Sequence, residues 1–80
     1  MITYDGFDAA FVGTVTRNTM ERVACYDFDK MVDVLVKRDE MEYDEAVEFL
    51  EFNVLCMWVG DDTPLLLFPC TLDDAIDLAA

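Results

Sequence analysis

The densest chemistry in this 80-residue chain is carboxylate. Between positions 39 and 51, seven of thirteen residues are acidic: Asp39, Glu40, Glu42, Asp44, Glu45, Glu48 and Glu51. Carboxylates in such a run can exchange protons in pairs, bind a hard cation, or offer negative charge to a basic surface. Acid–base catalysis needs one carboxyl set apart from the others by burial or by a close partner. No pair stands out in that way, and so small a domain has little room for a deep pocket, so an enzyme is not expected. A calcium loop needs several oxygen ligands within about twelve residues, a glycine and a final bidentate Glu. Neither Asp27 with Asp29 nor Asp61 with Asp62 fits that pattern, so neither a metal nor a cofactor is expected. The third role is left. Positions i and i+4 of a helix are separated by a rise of about 6 Å, comparable to the spacing of phosphates along one nucleic-acid strand. Asp44, Glu48 and Glu51 are therefore candidates to imitate consecutive phosphates. The plainer role of the same run is a solvated face that keeps a small apolar chain in solution.

Nucleophilic chemistry is scarce. The chain has no histidine, which excludes Ser–His and Cys–His pairs. Cys25, Cys56 and Cys70 are widely spaced, and without histidine they cannot make a four-ligand zinc site from one chain. Each lies among apolar neighbours, so all three read as small buried hydrophobes. Three glycines provide no phosphate-cradling loop.

The net charge is −13. Residues 1–38 hold six acids and all five bases; residues 39–80 hold twelve acids and no base. An ordinary solvated helix interleaves Lys with Glu, so the missing bases lift the recognition reading beside the solubilising one. Direct nucleic-acid binding is disfavoured, because it needs cations on phosphates. Anionic membranes are disfavoured for the same reason. A basic protein is the natural complement. The start, Met-Ile-Thr-Tyr-Asp, lacks a basic region followed by an apolar run, so no secretory leader is expected. The longest strongly apolar runs, residues 53–60 and 64–69, are too short to span a bilayer. The expected location is the cytoplasm.

The elements that must position these residues form one domain over residues 1–80. The apolar fraction is 55%, enough for a real core despite the short chain. Met1–Asp8 reads as a lead-in with a turn at Gly6. Ala9–Thr16 reads as a strand with a bulge at Gly13. Arg17–Met20 is a turn through Asn18, and Arg22–Phe28 is a second strand pairing in a hairpin. Asp29 is the expected cap of a first helix, with Asp27 a second candidate. Met31, Val34 and Leu35 are expected to face the core, with an Asp33–Lys37 pair on the surface. A break at Asp39–Glu42 precedes a second helix over about Tyr43–Asn53. Val54–Val59 is apolar throughout and reads as a buried strand carrying Trp58. Gly60–Pro64 reads as a hairpin-like turn and Leu65–Phe68 as a short strand. Thr71 is the expected cap of a C-terminal helix with Leu72, Ala75, Ile76 and Ala79 on one face. The order ββααββα implies an α+β fold: a small antiparallel sheet of about four strands, with two helices on one face and a short terminal helix.

Several local motifs lie along this path. They are Tyr26-Asp27-Phe28-Asp29-Lys30-Met31, Arg38-Asp39-Glu40-Met41, Glu45-Ala46-Val47-Glu48, Phe52-Asn53, and Gly60 with Thr63-Pro64. Together, across roughly half the chain, they resemble a family of small uncharacterised proteins found mainly in tailed bacteriophages. The resemblance implies a viral source, hence a host cytoplasm, and no known activity. Two positions depart from the family pattern. Its glycine at the break is Glu40 here, and its serine after Met is Glu42. If the backbone is kept, Glu40 takes a left-handed conformation at a cost of roughly 1 kcal/mol. Glu42 replaces a good N-cap with an ordinary acid. Both changes add charge where capping chemistry would favour another residue.

Two functional expectations follow. The first is a small accessory protein that modulates or inhibits a basic host protein through the acidic run, nucleic-acid mimicry being the most concrete version. The second is a non-catalytic assembly module whose charge serves solubility. There Met57, Trp58, Val59 and Phe68 belong to a dimer face, and the strands at 54–59 and 65–68 pair between copies. Trp58 is otherwise expected in the core.

Overall fold

The computed structural model describes residues 1–16, 21–55, 57–58 and 60–79. It is an α+β fold with one mixed three-stranded sheet and three helices. A 3-10 turn at Asp8–Ala10 leads into β1 (Phe11–Val15) and β2 (Val23–Asp27). Helices α1 (Phe28–Arg38) and α2 (Tyr43–Leu50) follow, and α2 widens into a π turn at Glu51–Leu55. β3 (Leu65–Leu67) and α3 (Leu72–Ala79) complete the chain.

β1 and β2 pair antiparallel, with Phe11 opposite Tyr26, Thr14 opposite Ala24 and Val15 opposite Val23. The register slips between Phe11 and Gly13, where Gly13 has φ of +146°. That is the expected bulge, held by the residue that meets least resistance at positive φ. The turn expected at Arg17–Met20 lies outside the described residues.

The expectation of four antiparallel strands is not met. The apolar stretch after α2 does not extend into a strand at Val54. Instead Val54 and Leu55 close the π turn. Ala46, Leu50 and Val54 are all buried, each four residues after the last. An α-helix advances 3.6 residues per turn, so a four-residue repeat drifts off its face. The wider turn keeps Val54 aligned with the other two. Asn53 Nδ2 donates to the Phe49 carbonyl at 2.9 Å, supporting the altered backbone. With no strand before it among the described residues, β3 has no hairpin partner there. It pairs parallel to the free edge of β2, with Cys25 opposite Leu65 and Tyr26 opposite Leu66. A parallel pair needs a long crossover, which α1, α2 and the π turn supply.

The first helix starts earlier than expected. Asp27, not Asp29, is its N-cap, and its Oδ1 accepts the Lys30 amide at 3.1 Å. Phe28 therefore enters the first turn. The buried stripe becomes Phe28, Met31, Val32 and Leu35, a complete i, i+3, i+4, i+7 set, with Val34 only half-buried. Ala24 and Tyr26 of β2 join this stripe and Ala46, Leu50 and Val54 in one core. Phe68 stacks on Phe28 with ring centroids 4.7 Å apart.

Candidate functional site

The acidic run begins at the end of α1. Arg38, in the last turn, makes a two-pronged contact with Asp39: Nε to Oδ1 at 3.0 Å and Nη2 to Oδ2 at 3.2 Å. Its Nη1 donates to the Gly6 carbonyl at 2.7 Å, and the guanidinium lies 5.5 Å from the centre of the Phe7 ring. Gly6, in the expected turn, has φ of +85°. Both hydrogen bonds and charge from Arg38 hold the Asp39 carboxyl below its ordinary range. The expected Asp33–Lys37 pair is not formed; among the described residues the ion pair of α1 is Arg38–Asp39.

Glu40 has φ of +56°. The helix ends through a left-handed residue, and Glu40 bears the steric cost. The Asp39 and Met41 amides both donate to the Leu35 carbonyl, at 3.1 and 3.4 Å. Glu42 occupies the N-cap position of α2, and Glu45 Oε1 accepts its amide at 3.1 Å. The acids at the start of α2 thus satisfy a backbone donor and face the positive end of the helix dipole.

All seven acidic residues are exposed. Asp44 and Glu48 lie on α2, one helical step apart, and Glu51 opens the π turn. Apart from Asp39, none has a base within ion-pair distance among the described residues. Lys30, Lys37 and Arg38 instead border a groove of about 460 Å³ along α1, with Ala9, Asp33 and Val34. Charge therefore differs by element: α1 mixes Lys30, Lys37 and Arg38 with Asp29 and Asp33, whereas α2 carries acids and no base.

Sequence reasoning missed the aromatics of this face. Phe52 is 78% exposed, Tyr43 64% and Phe49 40%. Phe52 stands one residue after Glu51 and four after Glu48, on the π turn. A helical continuation was expected there, and only its three-dimensional packing reveals that Phe52 is left outside.

The second set of candidate residues is also relocated. Trp58 is not in the core; it is 71% exposed, and Met57 and Phe68 are exposed as well. Val59 lies outside the described residues. Cys25 is buried, and burial followed by the nearby Asp27 charge pushes its thiol pKa up. Cys70 is exposed, contrary to expectation, because its segment follows β3 across the surface rather than into the core. Cys56 lies outside the described residues. Among the described residues no three Cys, Asp or Glu side chains converge as a metal site, and no helix is long and apolar enough to cross a membrane.

No family model matches the chain, and no curated protein or solved structure shows significant similarity to it.

Proposed function

We propose that this is a small phage-type accessory protein that binds a basic host protein through α2 and the π turn, and so modulates or inhibits it. The observation that carries the reading is Phe52, 78% exposed and flanked by Glu48 and Glu51 on a face where the described bases make no ion pair. Charge alone would suit a solubilising surface. An aromatic left in water amid that charge does not serve solubility. Binding energy at interfaces concentrates on aromatic anchors encircled by polar groups that exclude water. Phe52, with Phe49 beside it, is such an anchor, and the carboxylates supply steering and register.

The most concrete version is nucleic-acid mimicry. Asp44, Glu48 and Glu51 stand in for phosphates, and the target is a nuclease, defence complex or transcription factor with a cationic groove. Binding then weakens steeply with salt and competes with duplex DNA. Phe52→Ala separates this face from general charge, because it alters no charge. It is expected to weaken binding about tenfold, whereas Asp73→Asn on α3 leaves binding unchanged. Equal binding by wild type and Phe52→Ala would remove α2 as the contact face.

A further inference from the structure

We infer that two copies of this chain associate, the α3 helix of each covering the open sheet face of the other. The sheet has two apolar faces. Ala24, Tyr26 and Leu66 point to the helices; the register places Val15, Val23, Cys25, Asp27, Leu65 and Leu67 on the opposite side, where Cys25 and Asp27 of the central strand are buried and Leu65 and Leu67 of the edge strand stand open. Leu65 is 52% and Leu67 44% exposed. A sheet with one solvated face normally alternates apolar and polar residues, whereas continuous apolar runs mark strands covered on both faces. β2 opens Val-Ala-Cys-Tyr and β3 is Leu-Leu-Leu. A groove of about 250 Å³ lies on this open side, walled by Val15, Val23, Trp58 and Leu65 and rimmed by Glu21 and Asp61.

The chain also carries an unpartnered cover. α3 is properly begun, with Thr71 Oγ1 accepting the Asp74 amide at 3.2 Å. Yet Leu72 is 75% exposed, Ile76 57% and Leu78 84%. An eight-residue helix needs tertiary support to persist, and α3 packs extensively on no other described element. The area fits the same conclusion. The chain exposes 5985 Å², whereas a compact monomer of its 9.1 kDa mass exposes about 4,900 Å². The excess, about 1,100 Å², is comparable to the ~800 Å² per partner of a standard interface. The radius of gyration, 13.5 Å, likewise exceeds the ~12 Å of a compact 80-residue domain. Seating α3 on a second copy is isologous and closes after two subunits. It leaves Asp73, Asp74 and Asp77 at the rim. The acids of α2 stay on the helix side of each sheet, away from the contact.

Sedimentation equilibrium tests this without any partner. The expected species has twice the chain mass. It strengthens as salt rises from about 0.05 to 0.5 M, because screening relieves repulsion between two chains of charge −13. That salt response is opposite in sign to the one expected for a basic partner, so the two proposals fail separately. The emission of Trp58, the single tryptophan, shifts to the blue on association. Ile76→Glu and Leu65→Glu, both at exposed positions, each raise the dimer Kd more than tenfold. Mixing the two variants restores association in part, because a mixed pair keeps one intact helix-on-sheet contact. A monomer at every salt concentration overturns the inference, as does a dimer indifferent to both variants or a mixture that recovers nothing.

Discussion

Arg38 ends α1 and also holds the lead-in, through the Gly6 carbonyl and the Phe7 ring. Its contact with Asp39 makes one carboxylate of the run unlike the rest. The folded Asp39 pKa is depressed by Arg38. Its ionised form therefore favours the fold above the ordinary Asp pKa, and this contribution is lost as pH falls through the folded value. NMR titration should find Asp39 below the ordinary range in the wild type and back within it in Arg38→Gln. Two residues on, Glu40 bears a steric cost at φ of +56°. Glu40→Gly should raise unfolding free energy by about 1 kcal/mol in urea denaturation. If the charge of Glu40 contributes to partner binding, the same variant is more stable and binds less well. Local backbone preference and surface charge then oppose each other at a single residue.

Elements that rest on local chemistry were legible in the sequence. Thr71 caps α3, Gly13 makes the bulge, and the β1–β2 hairpin forms, because each depends on neighbours along the chain. Thr71→Ala should cost α3 about 1 kcal/mol, seen as lost helical ellipticity. The α1 stripe was misplaced because two aspartates, Asp27 and Asp29, both suit an N-cap, and the tertiary packing of Phe28 selects the first. The π turn was illegible. An apolar run of this length suits a buried strand and a buried helical turn equally. What decides is that Val54 reaches the core alongside Ala46 and Leu50. That one outcome turns the expected antiparallel sheet into a mixed one, exposes Phe52 and moves Trp58 from core to surface. Of the candidate site, the carboxylates were legible as a charge pattern, and the exposed Phe52 beside them was not.

At the scale of the whole molecule, two surfaces differ in character. The helix side carries the unpaired acids and Phe52. The open side of the sheet exposes Leu65 and Leu67 and is the side proposed to meet a second copy. A dimer built this way would present two acidic faces pointing apart and would bind a two-site or repeating basic target with avidity. Whether the acidic face binds a basic partner is decided by retention from bacterial cytosol on immobilised protein. Three columns are compared: wild type, Phe52→Ala, and Glu48→Lys with Glu51→Lys. The expectation for an acidic binding face is that wild type retains basic proteins released by rising salt and by added duplex DNA, that Phe52→Ala retains markedly less, and that the charge-reversed column retains none of them. Retention of the same basic proteins by all three columns would contradict it.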